Sequence, residues 1–170
     1  STMQQAPHYA DVVADVENFL CSRIAACEAA GIARQRLVVD PGFGFGKTLE
    51  HNLQLLDALP RLAGLGVPLL VGLSRKSMIQ QLVGRPMAQR LPASLGLAVL
   101  AAERGAAIIR THDVAATADA VAKIELISGS ASKVDVRGQT QLVNVVLKQV
   151  QKGASSPGTC GGMRPSGPLP

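Results

Sequence analysis

Apolar positions along the first thirty residues recur with the period of a helix. In HYADVVADVENFLCSRIAACEAA (8–30), Val12, Val13, Val16, Phe19, Leu20, Ile24 and Cys27 fall close to a 3.6-residue repeat. This spacing predicts one amphipathic helix, with Pro7 before it and Gly31 placed to end it. The pattern then changes. RLVVD (36–40), VPLLVGLS (67–74) and AAIIRTHD (106–113) are short, nearly continuous apolar runs. Runs of this kind suit strands buried on both faces, as in a parallel sheet. Helical spacing returns between and after them: at about 49–62, with Leu49, Leu53, Leu56 and Leu59 on one face; briefly within RKSMIQQLV (75–83); at 92–105, closed by Gly105; and at 114–127.

The order is therefore one helix, then strand–helix three times over, which is the βαβ pattern of an α/β fold. The three strands end in polar residues: Asp40; Ser74, Arg75 and Lys76; Arg110, His112 and Asp113. In parallel α/β folds the carboxyl ends of the strands hold the ligand. After residue 127 the pattern weakens. SGSASKVDVRGQTQ (128–141) is polar, LVNVVLKQVQK (142–152) reads as one more helix or an added strand, and the Gly/Pro/Ser-rich 153–170 reads as disordered. The expected organisation is a folded unit at 1–127, an extension at 128–152 and a tail at 153–170.

Composition narrows the picture. The 170 residues suffice for one domain. They fall short of a full eight-stranded α/β barrel, which takes about 250. With no Trp, one Tyr and three Phe among 47% hydrophobic residues, the core must be aliphatic. The net charge of +5 is scattered, and base-stacking aromatics are nearly absent, so a nucleic-acid partner is not expected. A moderately basic surface is compatible with anionic small substrates. Cys21, Cys27 and Cys160 are odd in number and lack metal-type spacing, so no disulfide framework is expected and a cytoplasmic setting is the default. No apolar run reaches membrane-spanning length. The chain starts without Met or a signal-type apolar region, and it reads as a piece of a longer one.

DPGFGFGKT (40–48) invites a nucleotide-loop reading, because it follows a strand and ends in Gly-Lys-Thr. The P-loop pattern G-x-x-x-x-G-K-[ST] requires glycine at 41, where the chain has Pro41, a residue with no N–H for a phosphate. The pattern G-x-G-x-x-G started at Gly42 ends on Lys47, and started at Gly44 it ends on Leu49. Both fail. Lys47 then has the plain reading of a solvated lysine. Singly, the strand-end residues also have plain readings: Asp40 as a helix cap, Ser74–Ser77 as a solvated loop, His112 as a core histidine. Jointly, on neighbouring strands, they converge on one mouth. There a carboxylate can accept paired hydrogen bonds from a heterocycle edge, and Lys76, Arg110 and His112 suit an anionic leaving group. No G-x-S-x-G elbow is present, so a catalytic triad is not indicated.

Three stretches, LVVDPGFGFGKTLEHNLQLL (37–56), PLLVGLSRKSMI (68–79) and IIRTHDVAAT (108–117), together resemble the dihydropteroate synthase family, and STMQQAPHYADVV (1–13) resembles the segment after its fifth barrel strand. The resemblance implies a partial TIM (β/α)8 barrel, covering about strands six to eight with their helices. It implies condensation of p-aminobenzoate with 6-hydroxymethyl-7,8-dihydropterin diphosphate, with release of diphosphate. It further implies that Asp40 reads the pterin edge, Gly72 leaves room for the ring, and Phe45 and Ser77 line the aminobenzoate pocket. Lys76 would hydrogen-bond the pterin, and Arg110 with His112 would bind the diphosphate. Mg2+ is implied as a cofactor, its main protein ligand expected in the family's first half, outside this sequence. Sulfonamides are implied as inhibitors, and a homodimer as the state of the full-length enzyme. Two small departures are Thr111, where the family favours an apolar residue, and Ala93, where it favours glycine. Residues 128–170 have no counterpart in the family.

Overall fold

The computed structural model describes residues 9–128, 134–138 and 146–148. Helix α1 (Val12–Ala29) is capped by Asp11, whose Oδ1 accepts the N–H groups of Val13 and Ala14, each at 3.0 Å. This cap moves the start four residues past the expected one. Val12, Val16, Leu20 and Ile24 form its buried row, one residue in four. Strand β1 (Val38–Asp40) follows after a single 3-10 turn at Arg34–Arg36.

The helix expected at 49–62 is broken in two at Ala58: α2 (Leu49–Asp57) and α3 (Leu59–Ala63). Pro60 explains the break, because it has no N–H to extend a helix and is tolerated in a first turn. The buried face also differs from the expected one. Asn52, Leu55, Leu56, Leu59 and Leu62 face inward, while Leu53 is exposed. Strand β2 (Leu70–Val71) is shorter than the apolar run that contains it, although Val67 and Leu69–Leu73 are otherwise buried as expected. Helix α4 (Ser77–Val83), helix α5 (Leu91–Glu103), strand β3 (Ile108–Thr111) and helix α6 (Val114–Ser128) complete the expected series.

The extension at 128–152 holds two strands. Strand β4 (Asp135–Gly138) was not expected in so polar a stretch, and β5 (Val146–Lys148) resolves the helix-or-strand alternative at that point. Val134 packs partly against the core, which gives β4 an apolar anchor. All pairings are parallel. The strands form a three-stranded sheet of order β2–β3–β4 and a two-stranded sheet of β1 and β5. A parallel bridge between Val39 and Leu69, with Val39 N–H donating to the Pro68 carbonyl at 3.0 Å, links β1 to β2. The carboxyl ends of β1, β2 and β3 therefore open on the same side.

The core is aliphatic, as composition requires, with Phe43 as its one fully buried aromatic among the described residues. Among these residues no helix is long and apolar enough to cross a membrane. One expectation about the cysteines is overturned. Cys21 is disulfide-bonded, while Cys27 is a free thiol. Cysteine usage therefore gives no support to a reducing compartment. The tail at 153–170, read as disordered, lies outside the described residues.

Candidate functional site at the carboxyl ends of the strands

Asp40 ends β1 and is 3% exposed. Its Oδ1 accepts the Gly42 N–H at 2.8 Å, so it organises the turn after the strand and is not a helix cap. Gly42, Gly44 and Gly46 all have left-handed φ, at 75°, 73° and 54°. Three glycines in alternation let the chain fold back on itself here without Cβ strain. Asn52, buried on α2, accepts the Gly44 N–H at 2.8 Å and donates to the Thr48 carbonyl at 2.6 Å. Thr48, the residue that suggested a P-loop, caps α2: its Oγ1 accepts the His51 N–H, and the His51 ring accepts the Thr48 N–H.

Lys47 corrects its plain reading. It is half-buried, and its ammonium donates to the carbonyls of Gly42 at 3.1 Å and Phe45 at 3.2 Å. Burial lowers its pKa to about 8, with Asp40 opposing that shift and Lys76 adding to it. The loop so held presents the ring of Phe45, and the Lys76 ammonium lies 4.1 Å from the ring centroid.

The end of β2 supplies the second wall. Arg75 takes the left-handed conformation, φ 56°, with a full side chain. Its N–H donates to Ser94 Oγ at 3.1 Å, and its guanidinium forms a two-pronged pair with Asp113, at 3.1 and 2.5 Å. Ser74 Oγ accepts the His112 N–H at 3.2 Å and lies 3.0 Å from Nδ1 of the same residue. Which of the two atoms donates in that contact depends on the tautomer of the ring.

The end of β3 supplies Arg110 and His112. An ideal Cβ built on Gly72 would lie 3.3 Å from both Nε and Nη2 of Arg110. The space that glycine leaves is thus taken up by a guanidinium lying across the strand. The Arg110 Nε–H is buried and has no hydrogen-bond partner among the described residues. Thr111, unusual for an apolar position, is matched by Thr117: their hydroxyls are 3.0 Å apart, and Thr117 also donates to the Asp113 carbonyl.

These pieces enclose one cleft of about 400 Å3, lined by Phe45, Gly72, Ser74, Arg75, Lys76, Arg110 and His112. Five of the seven residues expected at the site line it: Phe45, Gly72, Lys76, Arg110 and His112. Asp40 sits at the foot of the first loop, behind that lining, and Ser77 is exposed at the first position of α4. Ser74 and Arg75 were visible only as polar strand-end residues. Nothing in the sequence pointed to Asn52 or to Arg90, which packs beneath the second loop. The cleft is cationic, and among the described residues no group of three His, Cys, Asp or Glu is placed to hold a metal ion. Such a mouth fits an anion.

The sequence profile of the family described as pterin binding enzyme matches residues 1–112. The chain belongs to that family. The chain is 52% identical over 124 residues to the dihydropteroate synthase of Escherichia coli (strain K12), a match that covers 73% of this chain and 44% of that protein. Among solved structures, the Xanthomonas albilineans dihydropteroate synthase in complex with 7,8-dihydropteroate superposes with a TM-score of 0.71 at 54% identity, covering 73% of this chain and 48% of that one. The Yersinia pestis dihydropteroate synthase with a sulfonamide drug complex gives a TM-score of 0.73 at 48% identity, covering 76% and 47%. The chain thus spans under half the length of these relatives.

Proposed function

We propose that this chain is the C-terminal part of a dihydropteroate synthase, forming strands six to eight of a (β/α)8 barrel with their helices. In this reading its cleft binds the diphosphate ester of dihydropterin and p-aminobenzoate. The observation that carries the reading is the buried, unpartnered Arg110 Nε–H lying over Gly72, in one cleft with Lys76 and His112. A buried guanidinium N–H without an acceptor costs free energy that an anionic or heterocyclic ligand would recover. The product named for the Xanthomonas structure, 7,8-dihydropteroate, joins the two substrates by one carbon–nitrogen bond.

The chemistry asks little of acid–base groups. The amine nitrogen of p-aminobenzoate attacks the pterin methylene. The carbon–oxygen bond to diphosphate breaks with its electron pair going to the leaving group, and the amine proton passes to solvent. Stabilising the departing charge is the main task, and Arg110 and His112 face it from the end of β3. Lys76, lining the cleft beside the Phe45 ring, orders both substrates. Asp40 would accept from the pterin edge through the carboxylate oxygen not engaged by Gly42, and Ser77 would meet the aminobenzoate carboxylate. Sulfonamide inhibition, a homodimer and a cytoplasmic setting belong to this reading and rest on family likeness.

Calorimetry of the chain with dihydropterin diphosphate tests it. We expect saturable binding, weakened roughly 10–100-fold by Arg110→Ala, as the loss of a charged hydrogen bond predicts. No binding by the wild-type chain rejects the reading. A second reading is a binding remnant of that enzyme without turnover. Binding without dihydropteroate formation selects it.

A further inference from the structure

Arg90 lies outside the cleft and is 6% exposed. Its guanidinium donates from Nε to the Arg85 carbonyl at 3.2 Å and from Nη2 to Gln80 Oε1. Nη1 donates to the carbonyls of Arg75 at 3.0 Å and Lys76 at 3.4 Å. Every one of these acceptors is neutral, and no ion pair to Arg90 occurs among the described residues. A charge buried against neutral acceptors is an expensive way to fill space. Its acceptors show what it does there. Two of them belong to Arg75 and Lys76, the residues that turn the chain into the cleft.

Arg75 needs such help. A side-chain-bearing residue in the left-handed region costs roughly 1–2 kcal/mol and persists where its surroundings over-determine it. Arg75 is fixed at three points. Ser94 accepts its N–H, Arg90 takes its carbonyl, and Asp113 takes its guanidinium. Ser94 and Arg90 both come from the start of α5, so that helix end grips the peptide on both sides. Removing the carbonyl restraint would let Arg75 relax toward an ordinary φ, which would swing Lys76 and Ser77 out of line.

We propose that Arg90 is a positioning residue of the cleft: by holding the Arg75 and Lys76 carbonyls it fixes the direction in which Lys76 enters the site. Its consequence for ligands rests on the function proposed above. Its structural claim does not.

The test uses the full 170-residue chain with Arg90→Met, and with Arg90→Lys and Ser94→Ala as milder variants should Arg90→Met fail to fold. Amide hydrogen exchange is read first, without ligand. We expect about tenfold faster exchange confined to residues 75–78 in Arg90→Met, the effect of losing one net hydrogen bond, with α1 and β1 unchanged and Arg90→Lys in between. Calorimetry then separates two ligands. The affinity for p-aminobenzoate, measured with inorganic diphosphate present, should fall about tenfold, while inorganic diphosphate, faced also by Arg110 and His112 from β3, should lose at most about threefold. Acceleration spread over the whole chain, equal loss of both ligands, or no change in exchange would each overturn the proposal. A wild-type chain that binds neither ligand would reject the proposed function and leave the exchange result decisive for Arg90.

Discussion

The two loops that meet over the cleft are held in opposite ways. The loop at 41–48 is held mostly from within. Asp40 takes the Gly42 N–H, Phe45 N–H reaches the Gly42 carbonyl, Lys47 closes both carbonyls, and Asn52 stands one turn away on the helix the loop leads into. The loop at 74–76 is held from without. Arg90, Ser94, His112 and Asp113 all lie 14 to 38 residues further along the chain. The first loop uses glycine to make its conformation cheap. The second uses an arginine in a costly conformation and surrounds it with restraints. A loop of the first kind can form early and locally, while one of the second kind waits until α5 and β3 have packed.

That difference can be broken from either side. The largest effect is expected from Asn52→Ala, which leaves the part-buried Gly44 N–H without its acceptor. A loss of about 2 kcal/mol is expected from one stranded donor plus truncation of a buried side chain, read from the urea midpoint at constant slope. A value under about 0.5 kcal/mol would mean that water replaces Asn52 and the loop is not held from within. Next is Gly44→Ala. Its φ of 73° strains any side chain, and the added Cβ would lie 3.0 Å from Lys76 Cδ. The expected cost is about 1–2 kcal/mol, and the affinity for p-aminobenzoate should fall with it. Unchanged affinity would show that the two loops are independent.

A third test is gated by pH. In the folded chain burial lowers the Lys47 pKa from 10.5 to about 8. Between those values the unfolded chain binds more protons, so stability rises with pH across that window. The wild-type stability, minus that of Lys47→Met, should therefore climb from about pH 8 to about pH 10.5. A flat difference curve would place Lys47 in solvent. The smallest effect belongs to Asp113→Asn, which loosens one exposed restraint of the second loop and should cost at most about 1 kcal/mol by thermal melting, shrinking further in salt.

The same contrast explains what could be read from the sequence. The strand–helix order, the aliphatic core and the polar strand ends followed from apolar runs and their lengths. The glycine loop was legible as something other than a nucleotide loop, because Pro41 and the glycine spacing are local features. Its lysine was misread, since burial of Lys47 depends on how the loop folds over it. Asn52 looked like any helix residue, and Arg90 like any basic surface residue. Their roles arise from contacts that no window of sequence contains. Ala58 and Pro60 divided a helix whose leucine spacing continued through the break. Strand β4 was hidden because two apolar residues, Val134 and Val136, are too few to show a pattern. Thr111 stood out as a departure, and its explanation, Thr117, lay one helical turn into α6.

The placement of β4 bears on how the chain behaves in company. Without it, β3 would present a bare row of N–H and carbonyl groups to the surroundings, beside the residues that line the cleft. With Ile108–Thr111 in register with Asp135–Gly138, that row is satisfied internally. The border it hands on carries Asp135 and Arg137, paired with each other. Charged, short borders discourage a neighbouring molecule from docking as an extra strand. Four residues of a polar extension thus turn an apolar strand's open side into a charged border.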